Sequence, residues 1–250
     1  MSLPTYYLCP NLIFQMSLLE NDFLLQGESS LSNINESNIE EYIRTLIPTK
    51  DTCLRELEKY AELNHVPIIH PEVAQLIRVL INIAKPNKIL EIGTAIGYSA
   101  LVMASSMRKQ GEIISIEKRE DMISIAEKNI IDNGYSNMIQ IVKGEAEEIL
   151  PSINDKFDFI FIDAAKGQYM EFFPHCLRNL VNGGIILSDN VLYKGMVASD
   201  ELVLRRKKTI VKRMRNYLDY ITSNEDLVTS VIPIGDGVAI TYKKEVGGIE

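Results

Sequence analysis

Between Lys88 and Ser188 short apolar runs alternate with longer amphipathic ones, and that rhythm narrows the fold more than any other feature. Residues 88–92, 112–117, 138–142, 157–162 and 184–188 are rich in Ile, Val, Leu and Phe and too short for buried helices. The segments after them, 98–108, 120–133, 145–150, 168–180 and a basic one from about 200 to 222, carry helical spacing. Strands separated by helices predict a parallel sheet wound on both faces. Val228–Pro233 and Val238–Lys243 flank Gly235-Asp236-Gly237, which predicts an antiparallel hairpin at the end of the chain. The expected class is therefore α/β, a doubly wound Rossmann-like sheet, mostly parallel, with a C-terminal antiparallel hairpin. Helical patterns also cover 40–46, 54–64 and 72–84. The link His65–His70 is expected to be extended, because Pro67 turns Val66 away from helix. The division expected is an irregular, polar-ended arm over 1–38, one domain over 39–244 and a short tail over 245–250.

Two of the apolar runs stop at carboxylates. Phe157–Ile162 leads into Asp163 and Lys166, and Gly183–Ser188 leads into Asp189 and Asn190. In an open α/β sheet, ligands bind beyond the carboxyl ends of the strands. Asp163, Asp189 and Asn190 would there offer three hard oxygens, a donor set suited to Mg²⁺, Ca²⁺ or another divalent ion. An Asp in such a place also serves simply as a cap for the next helix or turn.

Upstream, KILEIGTAIGYSA (88–100) reads as strand, glycine turn, helix. Gly93 and Gly97 let the backbone approach a ligand, and the helix that follows offers free N–H groups. Ala95 stands where a dinucleotide-binding G-x-G-x-x-G would have its middle glycine. The strand 112–117 ends at Glu117, a carboxylate placed to bind a ribose diol; as an alternative it is an acid at a helix start.

Composition sets the outer limits. The 250 residues are 46% hydrophobic and 24% charged, with a net charge of −8, which argues against indiscriminate polyanion binding but not against a local basic patch. Cys9, Cys53 and Cys176 have no metal-binding spacing and read as reduced thiols of a cytoplasmic protein; His65, His70 and His175 are scattered. No run approaches the ~20 apolar residues of a membrane span, so no membrane partner is expected.

LEIGTAIGYSA, GEAEEILP, FDFIFIDAAKGQY, GGIILSDNVLYKG and IPIGDGVAI together identify a resemblance. From about Glu40 to Lys244 the chain resembles the class I S-adenosylmethionine-dependent O-methyltransferases, in the cation-dependent group that contains the catechol and caffeoyl-CoA enzymes. Within that group NHVPI, FIDAAKGQY, DNVLYKGMV and the basic segment are most similar to bacterial tRNA 5-hydroxyuridine methyltransferases. The resemblance implies S-adenosylmethionine as cofactor and Mg²⁺, Ca²⁺ or Mn²⁺ as metal, bound by Asp163, Asp189 and Asn190. It implies Lys166 and Asp163 as catalytic residues, with Lys166 beside the reacting hydroxyl as base or oxyanion stabiliser. Glu91, Gly93 and Ser99 match positions around the cofactor's methionine, Glu117 the ribose acid and Ala146 the adenine-side loop; Val66 and Asp163 complete the implied cofactor set. Some relatives have Asp where Glu145 stands. A homodimer is also implied, its N-terminal helices helping to cover the site.

The acceptor is the second decision. A metal-bound hydroxyl with a neighbouring oxygen describes both a catechol and 5-hydroxyuracil. Arg205, Arg206, Lys207, Lys208, Lys212, Arg213 and Arg215 cluster in an acidic chain. Read as one helix from about residue 200, they would place 205, 208, 212 and 215 on one face, a stripe that phosphates favour. Arg205, Arg206, Lys207 and Lys208 are the nucleic-acid candidates, tRNA the expected partner and a small phenolic acceptor the alternative. A solvated charged face and a cofactor-binding module without catalysis are the blander readings.

Overall fold

The computed structural model describes residues 34–48 and 52–245. The arm expected over 1–38 lies outside the described residues up to position 33, as does the tail from 246. The described chain opens with three helices, α1 (Ser37–Thr45), α2 (Thr52–Leu63) and α3 (Pro71–Ala84). Helix α1 starts three residues earlier than the apolar spacing suggests.

Alternation then follows: β1 (Lys88–Ile92), α4 (Tyr98–Ser106), β2 (Glu112–Glu117), α5 (Glu120–Asp132), β3 (Ile139–Lys143), α6 (Ala146–Ile149), β4 (Phe157–Ile162), α7 (Tyr169–Asn179) and β5 (Leu180–Ser188). The chain closes with α8 (Lys208–Ser223), β6 (Leu227–Ile232) and β7 (Val238–Lys243). The seven strands form one sheet in the order β3-β2-β1-β4-β5-β7-β6. Strands β1 to β5 pair in parallel, while β7 runs antiparallel to both β5 and β6.

Period-two alternation splits each central strand between two cores. Phe159 and Phe161 pack with α2, α3 and α4 residues such as Leu57, Ile77 and Val102. Ile160 and Ile162 pack on the other face with Phe172, Phe173 and Tyr217 of α7 and α8. Winding both faces in this way explains why the central strands read as continuous apolar runs. The strand order reverses between β1 and β4, so a crevice opens beyond their carboxyl ends. Among the described residues no helix is long and apolar enough to cross a membrane.

Two more elements depart from the sequence reading: β5 starts at Leu180, four residues before the expected 184, and the basic segment is broken up. The basic segment is not a single helix from residue 200. Asp200–Leu202 and Arg205–Lys207 form separate 3₁₀ turns, and α8 begins only at Lys208. Val203 and Leu204 are extended between them, with ψ of 108° and 135°. The single stripe through 205, 208, 212 and 215 therefore does not exist.

Candidate active site

A cleft of about 390 Å³ lies over the carboxyl ends of β1, β2 and β4. Of the residues expected there, Val66, Gly93, Ser99, Glu117, Ala146, Asp163, Lys166 and Asn190 line it. Glu91 and Asp189 sit beneath the floor, fully buried. Arg205, Arg206 and Lys208 are exposed and lie outside the cleft lining, as does half-buried Lys207.

Gly93 follows β1 at φ +102°, and a Cβ there would collide with the Asp163 carbonyl oxygen. The close approach of the β1 and β4 ends therefore requires glycine. Asp163 N–H donates to Ile92 O at 3.0 Å, and Asp189 N–H to Ile162 O at 3.0 Å, which staggers the two aspartates across neighbouring strand ends. The Tyr169 hydroxyl bridges the same ends, donating to Asp189 O at 2.8 Å and to Ile162 O at 3.3 Å.

Beneath the end of β1, Glu91 accepts hydrogen bonds from the Ser99 and Ser115 hydroxyls. Burial pushes its carboxyl up to about 7 against those two donors, with Asp163 and Glu117 adding like-charge repulsion. Glu117 accepts N–H groups from Ala95, Lys118 and Arg119, each at 2.9 Å, so its carboxylate is held rigidly at the cleft wall.

Just past the end of β5, Asp189 Oδ1 accepts the Asn190 N–H at 2.6 Å, while Oδ2 is buried with no partner. Burial raises Asp163, with Lys166 pulling the other way, and burial together with Asp163 raises Asp189. Orphaned buried polar atoms are rare because they cost desolvation without return. Here the orphan is a carboxylate oxygen beside a second raised carboxylate and the amide-bearing Asn190. Among the described residues no three His, Cys, Asp or Glu side chains gather into a metal cluster, so a third protein donor would be Asn190. Two carboxylates and an amide fit a hard cation that keeps positions free for other oxygens.

Lys166 reaches toward this end from a 3₁₀ turn, its Nζ 5.2 Å from the centre of the Tyr193 ring and 3.7 Å from Asp236 Oδ2. Lys207 approaches the same ring at 5.7 Å. Arg213 donates to Gly167 O at 3.0 Å. Arg215 is turned inward, to Val197 O at 2.9 Å and Asp200 at 2.7 Å, so it helps hold the fold.

Sequence reasoning missed Tyr169, Ser115 and Asp236. The first two carry no local signal. Nor does Asp236: only the antiparallel pairing of β7 with β5, seen in the structure, brings the turn before β7 to the β5 carboxyl end.

The sequence profile of the O-methyltransferase family matches residues 46–244. A catechol O-methyltransferase from Niastella koreensis is 32% identical over 169 residues, spanning 65% of this chain and 76% of that protein. A caffeoyl-CoA O-methyltransferase from Populus kitakamiensis is 30% identical over 214 residues, 80% of this chain and 89% of that one. Among solved structures, a Staphylococcus aureus protein provisionally assigned as a caffeoyl-CoA O-methyltransferase superposes with a TM-score of 0.77 at 35% identity, covering 82% of this chain and 99% of its own. An O-methyltransferase from Bacillus cereus, solved with S-adenosylhomocysteine, gives 0.74 at 25% identity, covering 83% and 97%. A profile that runs from just after α1 to just past β7 takes in every strand that shapes the cleft, and the chain belongs to the O-methyltransferase family.

Proposed function

We propose that this chain transfers the methyl group of S-adenosylmethionine to a hydroxyl on an acceptor carrying a second, adjacent oxygen. The observation that carries this reading is the orphaned Asp189 Oδ2 beside Asp163 and Asn190, just past the carboxyl ends of β4 and β5. Asp163, Asp189 and Asn190 would hold a divalent cation, Mg²⁺ first and Ca²⁺ or Mn²⁺ as substitutes. Such an ion lowers the pKa of a bound hydroxyl and holds it in place. The chain's own residues do the rest. Glu117, fixed by three N–H groups, presents its carboxylate to the ribose hydroxyls. The Gly93 turn and Ser99 leave room for the methionine portion, while Val66 and Ala146 line the same cleft. Lys166 takes the acceptor proton or stabilises the oxyanion, and the orientation of both partners supplies much of the acceleration.

For the acceptor we infer 5-hydroxyuridine in tRNA, giving 5-methoxyuridine. The support is electrostatic. Arg205, Arg206, Lys207 and Lys208 crowd the N-terminal end of α8, the positive end of its dipole, where cations are unfavourable unless an anion joins them. Lys207 shares the Tyr193 ring with Lys166, so this cluster adjoins the acceptor end of the site. A phosphate backbone would satisfy both facts. A small phenolic acceptor is the second reading, favoured by the catechol and caffeoyl-CoA relatives. A homodimer completes the proposal: Ile39, Tyr42, Ile43 and Leu46 leave an apolar stripe of α1 exposed.

The test is nucleoside mass spectrometry of unmodified and 5-hydroxyuridine-bearing tRNA after incubation with enzyme, S-adenosylmethionine and Mg²⁺, run beside a catechol. Appearance of 5-methoxyuridine is expected. Methylated catechol with untouched tRNA would overturn the tRNA assignment and leave the small-acceptor reading.

A further inference from the structure

The segment from Asn190 to Gly195 is strained. Asn190, Tyr193 and Lys194 all have left-handed backbone, with φ of 57°, 45° and 56°. Residues with a Cβ hold that conformation only when their surroundings impose it. The surroundings here are the β6–β7 turn. Val191 N–H donates to Gly237 O at 2.9 Å, Leu192 N–H donates to Asp236 O at 3.1 Å, and Lys194 N–H donates to Asp236 Oδ1. Gly237, at φ +83°, packs so closely on Leu192 that a Cβ would overlap its side chain. The Asp236 side chain is only 8% exposed, and its other oxygen, Oδ2, faces Lys166 Nζ at 3.7 Å. One carboxylate thus touches both the loop that carries Asn190 and the lysine of the acceptor end.

We propose that Asp236 is a positioning residue for methyl transfer: Oδ1 fixes the 190–195 loop and with it Asn190, and Oδ2 aims Lys166 at the acceptor. The inference rests on the reading of Asn190 and Lys166 given above. It separates the two oxygens into two duties, and two substitutions separate them experimentally. Asp236→Asn keeps an acceptor for the Lys194 N–H but removes the charge facing Lys166. Asp236→Ala removes both.

Two measurements are needed, Mn²⁺ binding by the loss of the free-ion paramagnetic resonance signal, and turnover on whichever acceptor the wild type methylates. Asp236→Asn is expected to bind Mn²⁺ within about twofold of wild type. Its kcat should fall about tenfold or more, with KM for S-adenosylmethionine unchanged. Asp236→Ala should in addition weaken Mn²⁺ binding by about tenfold. In a Lys166→Met background, Asp236→Asn should change kcat by less than about twofold, because the partner through which it acts is gone. Wild-type kcat in Asp236→Asn, or an undiminished loss in the Lys166→Met background, overturns the Lys166 duty. Wild-type Mn²⁺ affinity in Asp236→Ala overturns the loop duty. Lys166→Met with full turnover would remove the reading of Lys166 itself and Asp236's link to it, while the Mn²⁺ arm still decides the loop.

Discussion

Glu91 is an expensive residue to keep ionised. It is fully buried and raised to about 7, whereas an exposed glutamate titrates near 4.5. A carboxyl held above its unfolded value binds more protons in the folded protein, so the stability it contributes is full below about 4.5 and is lost as pH rises to about 7. The loss is on the order of 3 kcal/mol in the cofactor-free protein. Glu91→Gln, which cannot ionise, should therefore melt progressively higher than wild type as pH goes from 5 to 7.5. Calorimetry at several pH values checks this, and a melting difference that stays constant with pH would refute it. Glu117 has the opposite character, held ready by three backbone donors. Its replacement by Ala should weaken S-adenosylmethionine binding by about 1.5–3 kcal/mol, the usual worth of a charge-assisted hydrogen bond. Titration calorimetry with unchanged affinity would remove the ribose role. Asp163 and the Asp189-Asn190 pair were legible in sequence as candidates because they directly follow apolar runs. Asp236 was not, since its partners arrive from residues more than forty positions away.

At the scale of elements, the strands were legible to within a residue or so except at the start of β5, because runs buried on both faces leave few alternatives. The start of α8 was not. Nothing in DELVLRRKK announces that two 3₁₀ turns replace the first helical turns, and a charge count is blind to where the axis begins. The consequence is that the cations divide. Arg215 braces the 196–200 segment, Arg213 ties the Lys166 turn, and Arg205, Arg206 and Lys208 remain exposed. Neutralising Arg205, Arg206, Lys207 and Lys208 together should weaken tRNA binding and flatten its salt dependence. Each lost phosphate contact should reduce the slope of log K against log salt by about 0.7–0.9. Methylation of a small catechol, if the enzyme accepts one, should change far less. Binding measured across several salt concentrations decides the matter; wild-type affinity and slope would make the cluster an ordinary solvated face. Leaving Arg213 and Arg215 in place keeps the fold out of the comparison.

For the whole molecule, the doubly wound sheet brings strand ends together that are far apart in sequence, and the exposed stripe of α1 leaves one face incompletely covered. Sedimentation at micromolar concentration should show a dimer, and Tyr42→Glu with Leu46→Glu should shift it toward monomer; a wild-type monomer would remove the proposed pairing. The central claim, however, is that Asp163, the buried Asp189 and Asn190 form a cation site on which O-methylation depends. The most direct measurement is transfer of labelled methyl from S-adenosylmethionine in the presence of excess chelator, then with Mg²⁺ added back, for wild type and for Asp189→Ala. No transfer in chelator, full recovery with Mg²⁺ in wild type and none in Asp189→Ala is the expected result. Undiminished transfer in chelator, or full activity in Asp189→Ala, would contradict it.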